Sequence, residues 1–247
     1  MMQIHHAMQM ADIIHLNYSL LEVISRFDIR LGFGNKTIGE VCREQGTDVN
    51  FFLEIVNSFH DPEYFPDKEL QNFKLTDIVN YLKKTHKYYL DVKVPQIESF
   101  MQVLLKNSNN RNREGLELIN RFFLDYKHEL IAHIEHEEDH VFSYVLEVEK
   151  AFLTKKFEKQ VAEKIKTYSI DDFADEHDNV EDKLFDLKNI IIRYLPPVKD
   201  VFVCNNILTE LFRFEKDLNN HTRIEDKVLV PKVRVMEKAI LGRIKIK

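Results

Sequence analysis

Along residues 114–150 the apolar positions fall at intervals of three and four: Ile119, Phe123, Tyr126, Leu130, Val141, Tyr144 and Val148. On a helix turning roughly 100° per residue they fill one narrow stripe. Three further stretches, about 75–106, 169–195 and 200–240, keep the same period. In the first, Val79, Leu82, Leu90, Ile97, Met101 and Leu104 share a face, with Pro95 on the opposite side. In the next, Ile170, Phe173, Leu184, Ile191 and Leu195 line up, and in the last Ile207, Leu211, Phe214, Leu218 and Leu229. The segments "NSNNRNREG", "KKFEKQVAEKIKTYS" and "YLPPVKD" read as breaks. In "YLPPVKD", Pro196 and Pro197 cannot continue a helix and restrict the residue before them. Four long amphipathic helices with short connections predict an up-down-up-down four-helix bundle over residues 73–247.

Residues 1–72 read as a small N-terminal helical domain. "LNYSLLEVISRF" has helical spacing and breaks at "GFGNK". Thr37 and Glu40 form a capping box, Gly46 closes the helix it starts, and Asp48 caps "VNFFLEIVNSF". "HDPEYFPDKEL", with two prolines, is the expected linker. Read from its residues alone, this domain is a helical cap over the end of the bundle.

Composition narrows the class to all-α. Six glycines and six prolines are few, and the charged residues are mostly helix-forming Glu, Lys and Arg. A net charge of −6 gives no reason to expect nucleic acid or an anionic membrane as partner. No apolar run approaches the roughly 18 residues of a membrane span, and "MMQIHHAMQMADIIHL" lacks the pattern of a secretory leader. Two cysteines, Cys42 and Cys204, are too few for a disulfide framework or a thiolate zinc site, so the expected compartment is the cytoplasm.

The stripe of 114–150 also carries chemistry. With His133 set at zero on the wheel, Glu137 falls at about 40°, inside the apolar sector, while His140 lies near about −20° and His136 near about −60°. A carboxylate in an apolar stripe is costly without a partner, and metal coordination is one way to satisfy it. The same stretch contains H-E-x-x-H, His136 to His140, which read alone suggests a zinc metallopeptidase with Glu137 as base. The wheel argues against that reading, because His136 sits off the core face. A shift of 88 positions carries Ile119, Phe123, Tyr126, Leu130, His133, Glu137 and Val141 onto Ile207, Leu211, Phe214, Leu218, His221, Glu225 and Leu229. The shared element is His, three residues, Glu. The other two helices each place one histidine in the stripe, His86 and His177. Either one alone reads more readily as a hydrogen-bonded core histidine than as a ligand.

As a set, His86, His133, Glu137, His177, His221 and Glu225 can meet at one level of an antiparallel bundle. Four imidazoles and two carboxylates exceed what one tetrahedral zinc needs. They suit two five- or six-coordinate ions bridged by the carboxylates, and mixed N/O ligation without thiolate favours iron, with Mn or Zn as substitutes.

The motifs "THKYYL", "HIEHEEDHVFS", "DEHDNV" and "HTRIEDKVLVP", in that order, resemble those of the hemerythrin-like cation-binding proteins. Within these the resemblance is to the family called repair of iron centres, over nearly the whole chain. It implies two irons, oxo- or hydroxo-bridged, with Glu137 and Glu225 bridging and two histidines on each ion. It also implies carboxylates beside the site, at the matching positions Glu129 and Glu176. The function implied is a cytoplasmic response to nitric oxide and oxidants, in which labile iron helps restore iron–sulfur client proteins, or nitric oxide or O2 reacts at the metal pair. A homodimer is compatible with that reading, in which the resemblance implies a docking or dimerisation role for the N-terminal domain beside the plainer one of a cap. An alternative is a gas or iron sensor without turnover. The chain departs from the family in two places. "RLGFGNK" replaces a cysteine pair, so thiol chemistry does not carry over, and Ser143 replaces the proline after the first His-x3-Glu.

Overall fold

The computed structural model describes residues 2–108, 112–156, 158–176, 180–196, 198 and 200–245. The fold is all-helical: no strand forms among the described residues, apart from an isolated bridge between Gln9 and Thr37. None of the described helices is long and apolar enough to cross a membrane. Contacts divide the chain into two compact units, Met1–Thr85 with Ile224–Lys232, and His86–Arg223 with Val233–Lys247. Each division falls inside an unbroken helical run, so the backbone passes between units without a loop.

The first unit holds α1 (Met10–Leu16), α2 (Leu20–Ser25), α3 (Ile38–Glu44), α4 (Val49–His60), α5 (Asp67–Leu70) and most of α6 (Leu75–Tyr88). Its local punctuation follows the sequence. Thr37 Oγ1 accepts the Glu40 N–H at 3.3 Å while Glu40 Oε2 accepts the Thr37 N–H at 2.8 Å, completing the capping box. Asp48 accepts the Phe51 N–H at 2.9 Å and starts α4. The turn after α2 uses Gly32 at φ +104° and Gly34 at φ +60°, backbone that an L side chain adopts only under strain. Met10, Ile13, Leu20, Phe52 and Ile55 are buried, and Phe27 packs on Phe52 and Tyr81 with ring centroids 5.0 and 5.4 Å apart. Cys42 is also buried here, and burial pushes its thiol up to about 11, far from a reactive thiolate.

The second unit contains α7 (Val94–Lys106), α8 (Arg113–His136), α9 (Phe142–Thr154), α10 (Glu158–Thr167), α11 (Ile170–Glu176), α12 (Val180–Tyr194) and α13 (Val201–Ile224), with most of α14 (Val230–Lys245). One apolar cluster runs through it, drawing Ile97 and Met101 from α7, Phe123 and Leu130 from α8, Leu184 from α12, and Leu211 and Phe214 from α13. Burial of each such side chain is worth about 1.5–3 kcal/mol. Gly115 in the first turn of α8 lets Pro196 pack close: a Cβ there would meet the proline ring at 3.3 Å. Two buried ion pairs brace the unit, Lys93 to Glu210 at 2.7 Å and Lys188 to Glu215. One expected break is corrected. Part of "KKFEKQVAEKIKTYS" forms α10, because Val161, Ala162 and Ile165 bury along one side of it.

Three of the long runs contain a five-residue π-helical segment: π1 (Tyr89–Lys93), π2 (Glu137–Val141) and π3 (Glu225–Leu229). Each closes with an i→i+5 hydrogen bond: Val94 N–H to Tyr89 O, Phe142 N–H to Glu137 O, and Val230 N–H to Glu225 O. Pro95 and Pro231 follow the closing residues of π1 and π3, where a missing N–H disrupts the ordinary i→i−4 ladder. At the matching place after π2 stands Ser143, whose hydroxyl makes a long bond, 3.4 Å, to the Glu138 carbonyl. A π segment inserts one residue into the helical count and so rotates the face that follows. Val145 is therefore buried where uniform spacing put Tyr144, which is only partly buried; at π1, Tyr89 rather than Leu90 is buried.

Candidate metal centre

The π segments begin at or just after the residues that matter. Glu137 opens π2 and Glu225 opens π3, 88 positions apart, while His86 stands three residues before π1. His133 and His221 occupy the last turns of α8 and α13, one turn before those glutamates. Such single-turn bulges recur at functional sites, because they re-aim side chains that a regular helix would hold elsewhere.

His86, Glu137, His221 and Glu225 are 1%, 0%, 4% and 1% exposed. Each offers one ligand atom, and these atoms all lie within 4.8 Å of one another. His86 Nε2 is 3.1 Å from His221 Nε2 and 3.1 Å from Glu137 Oε2. The other Glu137 oxygen, Oε1, is 3.1 Å from His133 Nε2. One carboxylate thus turns its two oxygens toward different imidazoles. Glu225 comes one turn beyond His221 on the same helical run.

An ion pair would need protonated imidazoles. Burial first, and then the neighbouring His86, pushes His221 down to about 3, against the opposing pull of Glu137. His221 is therefore neutral and presents a lone pair, the form in which histidine binds a metal. Two buried carboxylates in an apolar stripe remain expensive, several kcal/mol for each ion. A cation held by the same atoms removes that cost, so this cluster can hold a metal ion, and its N/O donors suit a borderline or hard cation.

The depressed His221 makes a testable pH dependence in the metal-free protein. Unfolded, this group takes up a proton as pH falls through its ordinary 6.5; folded, it does so only near about 3. Between those values the unfolded state binds more protons, so stability drops as pH drops, by up to about 1.4 kcal/mol per pH unit. Urea unfolding of metal-free protein at pH 7 and pH 5 should show a steeper loss for wild type than for His221→Leu. Equal losses would contradict the assignment.

The remaining expected residues divide. His133 joins the cluster through Glu137 but keeps a 13% exposed side chain. His177 lies outside the described residues, and Glu176 ends α11 with its side chain likewise outside them. Glu129 is 46% exposed and pairs with Lys183. His136 and His140 are exposed, with ring centroids 5.2 Å apart, whereas Glu137 between them turns inward to His86 and His133. The H-E-x-x-H residues do not share a face.

Three neighbours were not foreseen from the sequence. Glu138 Oε1 lies 3.0 Å from His86 Nδ1. Phe142 stacks on the His86 ring, centroids 5.5 Å apart and planes 10° from parallel. Asp217, 4% exposed, acts on His221 as a charge one turn away, and it is the 88-position counterpart of Glu129. The repeat alone could have flagged Asp217. A separate cavity of about 560 Å³, lined by residues including His140, Tyr144, Tyr168 and Phe173, contains none of the four clustered ligands. Comparison of the chain with protein-family models and with curated proteins finds no match.

Proposed function

We propose that this chain is a hemerythrin-like di-iron protein, akin to the repair-of-iron-centres family, acting in the cytoplasmic response to nitric oxide and oxidants. In this reading the runs α6–α7, α8–α9, α11–α12 and α13–α14 are the four members of an up-down-up-down bundle, and the preceding helices are its small N-terminal domain. The single observation that carries it is the buried meeting of His86, Glu137, His221 and Glu225 within 4.8 Å. Supporting it, the oxygens of Glu137 face His86 and His133 separately, as a carboxylate bridging two cations requires. His177, which lies outside the described residues, would be the fourth histidine that the resemblance in sequence implies.

Bound iron would supply Lewis acidity and one-electron chemistry at this place. The chain's own residues would hold it: the imidazoles would donate lone pairs, the two glutamates would balance charge, and the apolar stripe would exclude water. The site serves either to supply labile iron to iron–sulfur clients or to react with nitric oxide or O2. Cys42, with its thiol raised by burial, is not a substitute for the family's cysteine pair, so the proposed role rests on the metal site alone.

Anaerobic loading with ferrous iron, followed by desalting and metal analysis, tests the proposal. The expected result is two irons per chain. A plateau at one ion, or retention of none, would overturn the di-iron reading.

A further inference from the structure

We propose that the cavity of about 560 Å³ beside π2 is a binding site for a small organic cation, an ammonium carried on an apolar body. Every residue that lines it belongs to the second unit, and none is His86, Glu137, His221 or Glu225. The inference therefore stands whether or not metal is bound.

Three stretches meet around this space: the end of π2 with the first turns of α9, the later part of α10, and the start of α11. Val161, Ala162 and Ile165 bury along one side of α10, which leaves Gln160, Glu163, Lys164 and Thr167 to the cavity. Val141, Ile170 and Phe173 form its buried inner wall, while the polar residues around it are exposed. Small-molecule pockets of about 300–1,000 Å³ share this build, apolar and aromatic walls with a few polar groups. A tie behind the wall holds its shape. Glu237, 4% exposed, accepts the Tyr144 hydroxyl and, at 2.9 Å, the Ile170 N–H. One carboxylate of α14 thus joins α9 to the start of α11. With its hydroxyl committed to Glu237, Tyr144 offers the cavity its ring, and Tyr168 and Phe173 add two more.

Charge sets the sign of the occupant. Asp139, Glu147 and Glu163 line the cavity against one ammonium, Lys164, and that ammonium is bound to Glu147. Glu163 also meets Lys166, outside the lining, at 2.7 Å. Among the described lining residues, an anion therefore finds no ammonium that lacks a carboxylate partner. The negative field reaches the inner wall as well. Burial, the hydrogen bond to Glu237, and then the charges of Glu237, Asp172 and Glu147 push the Tyr144 hydroxyl up. Aromatic faces attract cations through their negative quadrupole, so the rings and the acids select the same kind of ligand. A neutral apolar guest gains from the wall and nothing from the rim.

Benzylammonium, benzyl alcohol and benzoate present one ring with a positive, a neutral and a negative head. Each is titrated into the full chain, in chelator and again after loading with ferrous iron, and followed by the methyl signals of Val141 and Ile170. Benzylammonium should shift those signals equally in both conditions and bind about 2- to 30-fold tighter than benzyl alcohol, the span of one cation–aromatic contact. Benzoate should not bind. Tyr168→Ala should weaken benzylammonium by about the same 2- to 30-fold. Glu147→Lys changes a half-exposed rim acid without touching the core, and it should erase the preference for the cation. Glu117→Lys, the same charge change at an exposed site on α8, should preserve it. Benzyl alcohol or benzoate binding as tightly as benzylammonium would overturn the inference. So would methyl signals that do not move, binding that requires the iron, or Glu147→Lys behaving like Glu117→Lys.

Discussion

Glu137→Ala/Glu225→Ala protein, loaded and desalted beside wild type, should retain no metal. Glu137 and Glu225 are the anionic members of the cluster, each at most 1% exposed, and without them only imidazoles remain to face a cation. The loss should exceed the roughly 100-fold that removal of a mere supporting hydrogen bond costs a metal site. Thermal unfolding gives an independent measure. At a free metal concentration about 100 to 1,000 times the dissociation constant, wild type gains about 2.7–4.1 kcal/mol. The double variant should gain nothing at that concentration. Equal metal content in the two proteins would mean that the buried carboxylates do not hold the ions.

Without metal, the sign of a single substitution should reverse. Glu137→Met replaces a fully buried carboxylate with a flexible apolar side chain of similar length. If the cluster exists to receive a cation, the metal-free wild type carries an uncompensated desolvation cost. Glu137→Met should then be more stable than wild type in chelator, by about 1–4 kcal/mol, the range seen when buried ions give way to apolar groups. In excess metal the order should invert, because only wild type gains the binding energy. A self-sufficient His–Glu ion-pair network predicts the opposite: removal of one partner would destabilise the chelated protein by about 3–5 kcal/mol. Urea titration in chelator decides between them, and a destabilised Glu137→Met would sink the metal reading.

Much of the helical layout was readable from periodicity, most cleanly in the last run. Ile207, Leu211, Phe214, Leu218, His221, Glu225 and Leu229 were assigned to one face, and every one of them is buried. The repeat of His-x3-Glu at 88 positions likewise named four of the residues that meet. What uniform helical spacing missed follows from one local departure. The π2 segment delays the face by a residue, which exchanges Tyr144 for Val145, and brings Glu138 round to His86. Pro95 and Pro231 were visible signs of that departure, but Ser143 at the middle site was not. Glu129 and Asp217 show a different limit. They are counterparts by repeat, yet Glu129 is solvated beside Lys183 and Asp217 is 4% exposed. Which member of a repeated pair is buried depends on the helix that packs over it.

The amino-acid sequence by itself determined that this chain is helical, roughly where its long runs lie, and that His86, His133, Glu137, His221 and Glu225 sit on the apolar faces. Those are properties of residues three or four apart, set by backbone geometry and the cost of exposing apolar surface. Only the tertiary structure decided which nitrogens and oxygens meet, since His86 and His221 are 135 positions apart and approach to 3.1 Å only once the helices pack. It also decided that Glu137 divides its oxygens between two imidazoles and that Glu138 grips the far side of one of them. Atom-to-atom approach is settled by the packing of distant segments and by three turns wound slightly wide, and neither leaves a period in the chain.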